Sequence, residues 1–225
     1  MARLPRLVIP GIPYHVTQRG NRRAQTFFED GDYALYTDLL AQSAEKAGAE
    51  IWCYCLMPNH VHIIIAPSDE DGLRRTFADT HRRYTGCINA RKRWTGHLWQ
   101  GRFGAVAMDE AHLAAAVRYV SLNPVHARLV ARAQDWRCSS VAAHLAEQDD
   151  ALVRVAPVLE RYGRFAEFLG DSVADEAGEA AAWRALRMSE TSGRPIGDAA
   201  WIESLEARSG RTLKPQKRGP KAKES

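Results

Sequence analysis

The sequence predicts an α+β fold: a ferredoxin-like (split βαβ) antiparallel sheet with one added helix and a helical C-terminal extension. Three observations lead there. Strand-like and helix-like segments follow one another in the order β-α-β-β-α-β as far as Met108. The two middle strands are joined through Pro58-Asn59 alone. A further amphipathic segment follows the last strand and supplies the added helix.

Ile12 to Arg19 alternates and is rich in strand formers, and Gly20-Asn21 breaks it. Leu35, Leu39, Leu40 and Ala44 give helical spacing over Gly31 to Ala47, with Gly48 as the stop. Glu50 to Met57 and His60 to Ala66 read as strands, the second around the buried-type run Ile63-Ile64-Ile65. Asp69 to Trp94 reads as one long basic helix, ended at Thr95-Gly96. Trp99 to Met108 reads as a fourth strand, weakened by Gly101 and Gly104. Asp109 or Glu110 starts the helix that carries Tyr119, and Pro124 ends it soon after. Beyond residue 140, Ser139 to Leu145, Val155 to Phe168 and Glu179 to Met188 read as short helices. Thr191 to Pro195 is a turn-forming break, and Asp198 caps a last helix through Arg208 that Gly210 stops. After Leu213 the chain is polar and basic.

With 45% hydrophobic and 26% charged residues, the composition is that of a soluble globular protein. No apolar run reaches membrane-span length and no signal-peptide pattern opens the chain. Cys53, Cys55, Cys87 and Cys138 form no C-x-x-C pair, so reduced, structural thiols and a cytoplasmic protein are expected. The net charge of +4 hides an asymmetry. Glu70 to Ala105 carries eight Lys/Arg against three acids, and Leu145 to Glu190 carries five Arg against ten acids. Arg208 to Lys223 holds seven basic residues and no acid. Basic clusters flanking an acidic block suit a polyanion held on chosen surfaces, or equally the solvated faces of ordinary helices.

The most informative residues are His60 and His62. Alternation puts both imidazoles on one face of a strand, half of a metal site or a hydrogen-bonded strand pair. Tyr119 and Asn123 lie four apart, one turn along one helix face. Two nitrogen ligands, a phenol and an amide oxygen suit metal-assisted attack of tyrosine on a phosphodiester. On the sequence alone Tyr119 reads equally as a core aromatic and Asn123 as a helix C-cap.

Four blocks stand in order: Pro13-Tyr14-His15-Val16-Thr17-Gln18-Arg19-Gly20-Asn21, Met57-Pro58-Asn59-His60-Val61-His62, Trp99-Gln100-Gly101-Arg102-Phe103, and Arg118-Tyr119-Val120-Ser121-Leu122-Asn123-Pro124-Val125-His126-Ala127. Together they resemble the HUH-type single-tyrosine transposases, and more narrowly the REP-associated tyrosine transposases, well over residues 12 to 140 and loosely beyond. The resemblance implies a catalytic domain over 1–140, a helical extension over 141–213 that contacts DNA, and a basic flexible tail over 214–225. It implies a metal-dependent single-strand DNA endonuclease and strand transferase, with Tyr119 as nucleophile forming a 5′-phosphotyrosine. His60, His62 and Asn123 would hold Mg²⁺ or Mn²⁺, imidazole leaning toward Mn²⁺. The expected partner is hairpin DNA of REP-like palindromes with a single-stranded guide segment, and a monomer is favoured over a homodimer. DNA contacts are expected from His15, Arg19, Arg22, Arg23, Arg74, Arg75, Arg82, Arg83, Trp99, Arg102, Lys217 and Arg218, and from a helix-turn-helix-like piece around Gly193 to Arg208. Nucleoid association follows when DNA is bound. The alternative is a regulatory protein that holds hairpins without cutting them. A relaxase fits less well, because relaxases place the tyrosine ahead of the histidines.

Overall fold

The computed structural model describes residues 6–170 and 176–213. Strand β1 (Tyr14–Arg19) leads into helix α1 (Asp30–Ala47), then β2 (Ala49–Met57), β3 (His60–Pro67), α2 (Gly72–Lys92) and β4 (Gly104–Ala107). Helix α3 (Glu110–His126) follows, then α4 (Val141–Leu145), α5 (Ala156–Tyr162), α6 (Phe165–Gly170), α7 (Glu176–Ser192) and α8 (Ala199–Ser209). The strands form one sheet in the order β2-β3-β1-β4, with every pair antiparallel. This is the ferredoxin-like order expected of the βαββαβ sequence.

The sheet is buried on both faces. Ile63, Ile64 and Ile65 are all at 0% exposure, because a strand covered on both sides reads as an unbroken apolar run. Ile63 and Ile65 join the core shared with Leu40, Phe77 and Tyr84 of α1 and α2. Ile64 faces the opposite way, into a second core with Val106, Val117 and Val120 under α3. Each such side chain contributes about 1.5–3 kcal/mol by leaving water. Two helices therefore cover one face, and α3 crosses the other.

Several boundaries differ from those read in the sequence. The fourth strand is only Gly104–Ala107, because Gly101 turns left-handed (φ +63°) and leaves Trp99 with a single bridge to Gly20. The long basic helix starts at Gly72, since Asp69 and the turn after it precede it. Val155 to Phe168 is broken at Gly163, whose φ is +67°. Helix α3, by contrast, ends soon after Pro124 as expected, at His126, because so close to its end the missing N–H forfeits only one bond. Helix α7 is longer than expected, Glu176 to Ser192.

The segment after α3 is built onto the sheet edge at β2: Val153 bridges Ile51 and Ser139 bridges Cys55. At the other edge, Ile196 bridges Met108. Leu186 of α7 belongs to the core under α3, whereas Leu205 of α8 belongs to the core under α1 and α2. The two helices thus lie against different faces, and no packed helix-turn-helix unit forms around Gly193 to Arg208. No helix among the described residues is long and apolar enough to cross a membrane.

Candidate active site

The site lies on the α3 face, at the end where β3 begins and β1 finishes. Alternation along β3 places the rings of His60 and His62 edge to face, 4.9 Å between centroids. Helix α3 sets Tyr119 against His62, with centroids 5.3 Å apart and the planes nearly perpendicular. Asn123, one turn further, brings its side-chain nitrogen to 3.5 Å from His62 Nε2. The four residues singled out in the sequence therefore converge, and the tyrosine meets the histidines of its own chain.

Neighbouring side chains orient the imidazoles. The Asn59 amide donates from Nδ2 to the Arg23 carbonyl at 3.0 Å, which directs its Oδ1 to His60 Nδ1 at 2.6 Å. His60 Nδ1 must then donate, leaving Nε2 with a lone pair. His62 Nδ1 lies 3.0 Å from Nε2 of His15, and the two rings stack. When His62 donates in that bond, its Nε2 carries a lone pair that here faces the Asn123 amide and could serve a cation, the arrangement metal-bound histidines adopt. His15 is fully buried on the adjacent strand β1 and supports the pair from behind.

Burial holds all three imidazoles neutral. His15 is lowered to about 4 by burial alone. His60 is lowered to about 4 by burial and then by the charge of Arg19. His62 lies well below the usual histidine range through burial, then through His60, His15 and Arg19. Neutral imidazole is the ligating form. Among the described residues no three His, Cys, Asp or Glu side chains converge tightly enough to hold a metal alone. A cation here would rest on His60, His62 and the Asn123 amide turned to present its oxygen, with positions left for phosphate and water oxygens. That donor set fits Mn²⁺ or Mg²⁺.

The basic residues divide. Arg19 pairs with His60 across β1 and β3 and belongs to the site. Arg22 and Arg23 are exposed and both left-handed, φ +55° and +61°, strain of the kind that accumulates at functional loops. Gly20 permits that turn, because a Cβ there would sit 2.1 Å from the Ala24 carbonyl oxygen. Arg74, Arg75, Arg82 and Arg83 lie on α2, across the sheet from Tyr119, and pair with Asp71, Asp69 and Asp79. Exposed pairs of this kind hold weakly. Arg102 is exposed in the loop before β4. Trp99 is only 7% exposed and packs between Tyr36, His81 and Tyr84, so its faces are core. Lys217 and Arg218 lie outside the described residues.

Two contributions escaped the sequence reading. Asn59 sits inside a quoted block, but its link to Arg23 depends on the left-handed turn. Helix α7 covers the tyrosine: Trp183 lies 5.7 Å from Tyr119 and 4.6 Å from His126, and the Arg187 guanidinium is 6.0 Å from the Tyr119 ring. Tyr119 is left 9% exposed.

A family model, that of IS200-like transposases, matches residues 9–123, a span that holds His15, His60, His62, Tyr119 and Asn123. The chain belongs to the IS200-like transposase family. The family is one of DNA-processing enzymes. Among solved structures, a REP-associated tyrosine transposase bound to a REP hairpin is similar over 69% of this chain and 93% of its own. The identity is 22% and the TM-score 0.57, a likeness of fold. A provisionally assigned transposase from Deinococcus radiodurans R1 is 21% identical over 53% of this chain and 95% of its own, with a TM-score of 0.39. No curated protein matches the chain.

Proposed function

We propose that this member of the family is a metal-dependent single-strand DNA endonuclease and strand transferase acting on REP-like hairpins through a 5′-phosphotyrosine. The observation that carries the reading is the convergence of Tyr119, His62 and Asn123, with His60 beside them and both imidazoles neutral. A bound Mn²⁺ or Mg²⁺ would act as a Lewis acid on the scissile phosphate and orient it. His60 and His62 would hold the cation through Nε2, with Asn59 fixing the His60 tautomer and His15 orienting the His62 ring. Tyr119 Oη would attack phosphorus in line, forming the O–P bond as the P–O bond to the 3′-oxygen breaks. The Tyr119 hydroxyl gives up one proton and the departing 3′-oxygen takes up one, leaving as a hydroxyl, and the phosphotyrosine retains the bond energy for rejoining. Arg19 would add positive charge beside the phosphate.

Residues 1–140 would form the catalytic domain, 141–213 an extension bearing on DNA and on the tyrosine, and 214–225 a basic tail. Because α3 packs on its own sheet, a monomer is sufficient to complete the site. A cytoplasmic, nucleoid-associated location follows from this chemistry.

The test is cleavage of a labelled hairpin oligonucleotide with single-stranded flanks, taken from palindromes beside the gene, in Mn²⁺ or Mg²⁺. The reading expects a fragment with a 3′-hydroxyl that a polymerase extends, and loss of cleavage in His60→Ala and His62→Ala. Binding without cleavage in either metal would favour the regulatory alternative.

A further inference from the structure

A second concavity lies at the same end of the molecule, on the opposite side of the sheet from Tyr119. It has a volume of about 550 Å³ between α2 and the 97–102 loop, and Gln18, His81, Thr85, Trp99, Gln100 and Arg102 line it. That is the size range of small-ligand sites. Its frame is fixed by backbone bonds on both sides of the Gly20–Trp99 bridge: Asn21 N–H to the Leu98 carbonyl and Gln100 N–H to the Arg19 carbonyl, each 2.8 Å.

The lining has two kinds of surface. Ring edges form one wall, from His81 and Trp99 4.8 Å apart, their faces taken up by packing with Tyr36, Tyr84 and each other, and His81 is anchored to the Tyr36 hydroxyl at 3.0 Å. The Trp99 Nε1 is buried without a hydrogen-bond partner. The polar part is deep: Gln18 is 4% exposed and donates one amide N–H to the Gly101 carbonyl at 3.1 Å, which leaves its Oε1 as an acceptor. At the rim stand Arg102 and Arg82, whose side chain is 74% exposed. Gln18 is the immediate neighbour of Arg19, which faces His60 on the other side of the strand. A strand of DNA rounding the end of β1 at Gly20 would pass from one site to the other.

We infer that this pocket takes one unpaired nucleobase of the single-stranded segment beside the cleavage site, its edge met by Gln18 and its flanking phosphates by Arg82 and Arg102. A slot walled by aromatic edges, with a buried amide inside and cations at its mouth, matches the edge of a base and its phosphates. A lone phosphate would leave the aromatic wall and Gln18 unused. The inference rests on the single-strand reading of the active site.

The test walks a single abasic nucleotide through the flanks of the hairpin oligonucleotide. Binding is measured for wild type and for Thr85→Trp, which fills the pocket from a half-exposed position on α2. One abasic position is expected to weaken wild-type binding about tenfold, the loss of the base-edge hydrogen bond and its packing. The same position should cost Thr85→Trp nothing further, its affinity for intact DNA having already fallen by a similar factor. Penalties that are equal in both proteins at every position would overturn the pocket. In wild type alone, 5-iodouracil at the sensitive position should photocrosslink within residues 97–102, and a crosslink confined to another segment would overturn it too. Covalent adduct formation on intact DNA reports separately on the active-site reading. An adduct without any pocket-dependent position would sink only the pocket, whereas absence of all single-strand binding would sink both.

Discussion

Asn59 shows how much of the site depends on a side chain with no direct chemistry. Its amide has one productive orientation, because Nδ2 is engaged by the Arg23 carbonyl, and that orientation sets the His60 tautomer. Asn59→Ala should therefore weaken Mn²⁺ binding by roughly 10–100-fold while leaving both ligands present. Titration calorimetry against wild type checks this, and an unchanged affinity would remove Asn59 from the site. His15 lies 3.0 Å from His62 Nδ1 and orients that ring, although an imidazole that can donate or accept does not by itself set the tautomer. Alternation put the two β3 histidines on one face, and the family blocks around them singled them out. The supporting pair was not legible, because His15 reaches His62 only through the β1–β3 register, and Asn59 reaches Arg23 only through a left-handed turn that a non-glycine sequence does not advertise.

The element that matters most is α3, since it carries both Tyr119 and Asn123 at one-turn spacing. Asp109 begins it: Oδ1 accepts from the His112 N–H at 2.9 Å, and Oδ2 accepts from the Asp198 N–H at 2.9 Å. One carboxylate thus caps α3 and ties it to the start of α8. Asp109→Ala should cost about 1–2 kcal/mol in chemical denaturation, and a neutral result would show that the cap bears no weight. Periodicity and capping signals located α1, α3 and α8 closely, because each is marked at both ends by its own residues. They misjudged the fourth strand and the Val155 to Phe168 helix, where a single left-handed glycine decides and composition does not. The covering of Tyr119 by Trp183 was beyond any local pattern, since α7 is some sixty residues away and no spacing rule joins them.

For the whole molecule, buried neutral histidines couple stability to pH. His15 and His60 are lowered to about 4, His81 to about 3, and His62 well below the normal range, burial being the leading cause in each. The unfolded chain protonates near 6.5 and the folded chain does not. Stability present above about pH 6.5 is therefore lost as pH falls toward 4, with a slope beyond the about 1.4 kcal/mol per pH unit of a single group. Denaturation at pH 7.5 and pH 5 checks the sign, and a pH-independent midpoint would contradict the burial of these rings.

DNA binding should be strongly salt-dependent, because the contacts proposed for Arg22, Arg23 and the α2 arginines would be to phosphates and not to bases. A flat salt profile would exclude them. The global fold was legible because the order of strands and helices permits few sheets, and the convergence of His60, His62, Tyr119 and Asn123 was legible because they sit on rigid elements.

The central claim is that Tyr119 is the nucleophile. The direct measurement is a denaturing protein gel of labelled hairpin DNA incubated with Mn²⁺ and either wild type or Tyr119→Phe. A metal-dependent covalent band present in wild type and lost in Tyr119→Phe is the predicted result. Cleavage that persists in Tyr119→Phe without any covalent band would contradict it and make water the nucleophile.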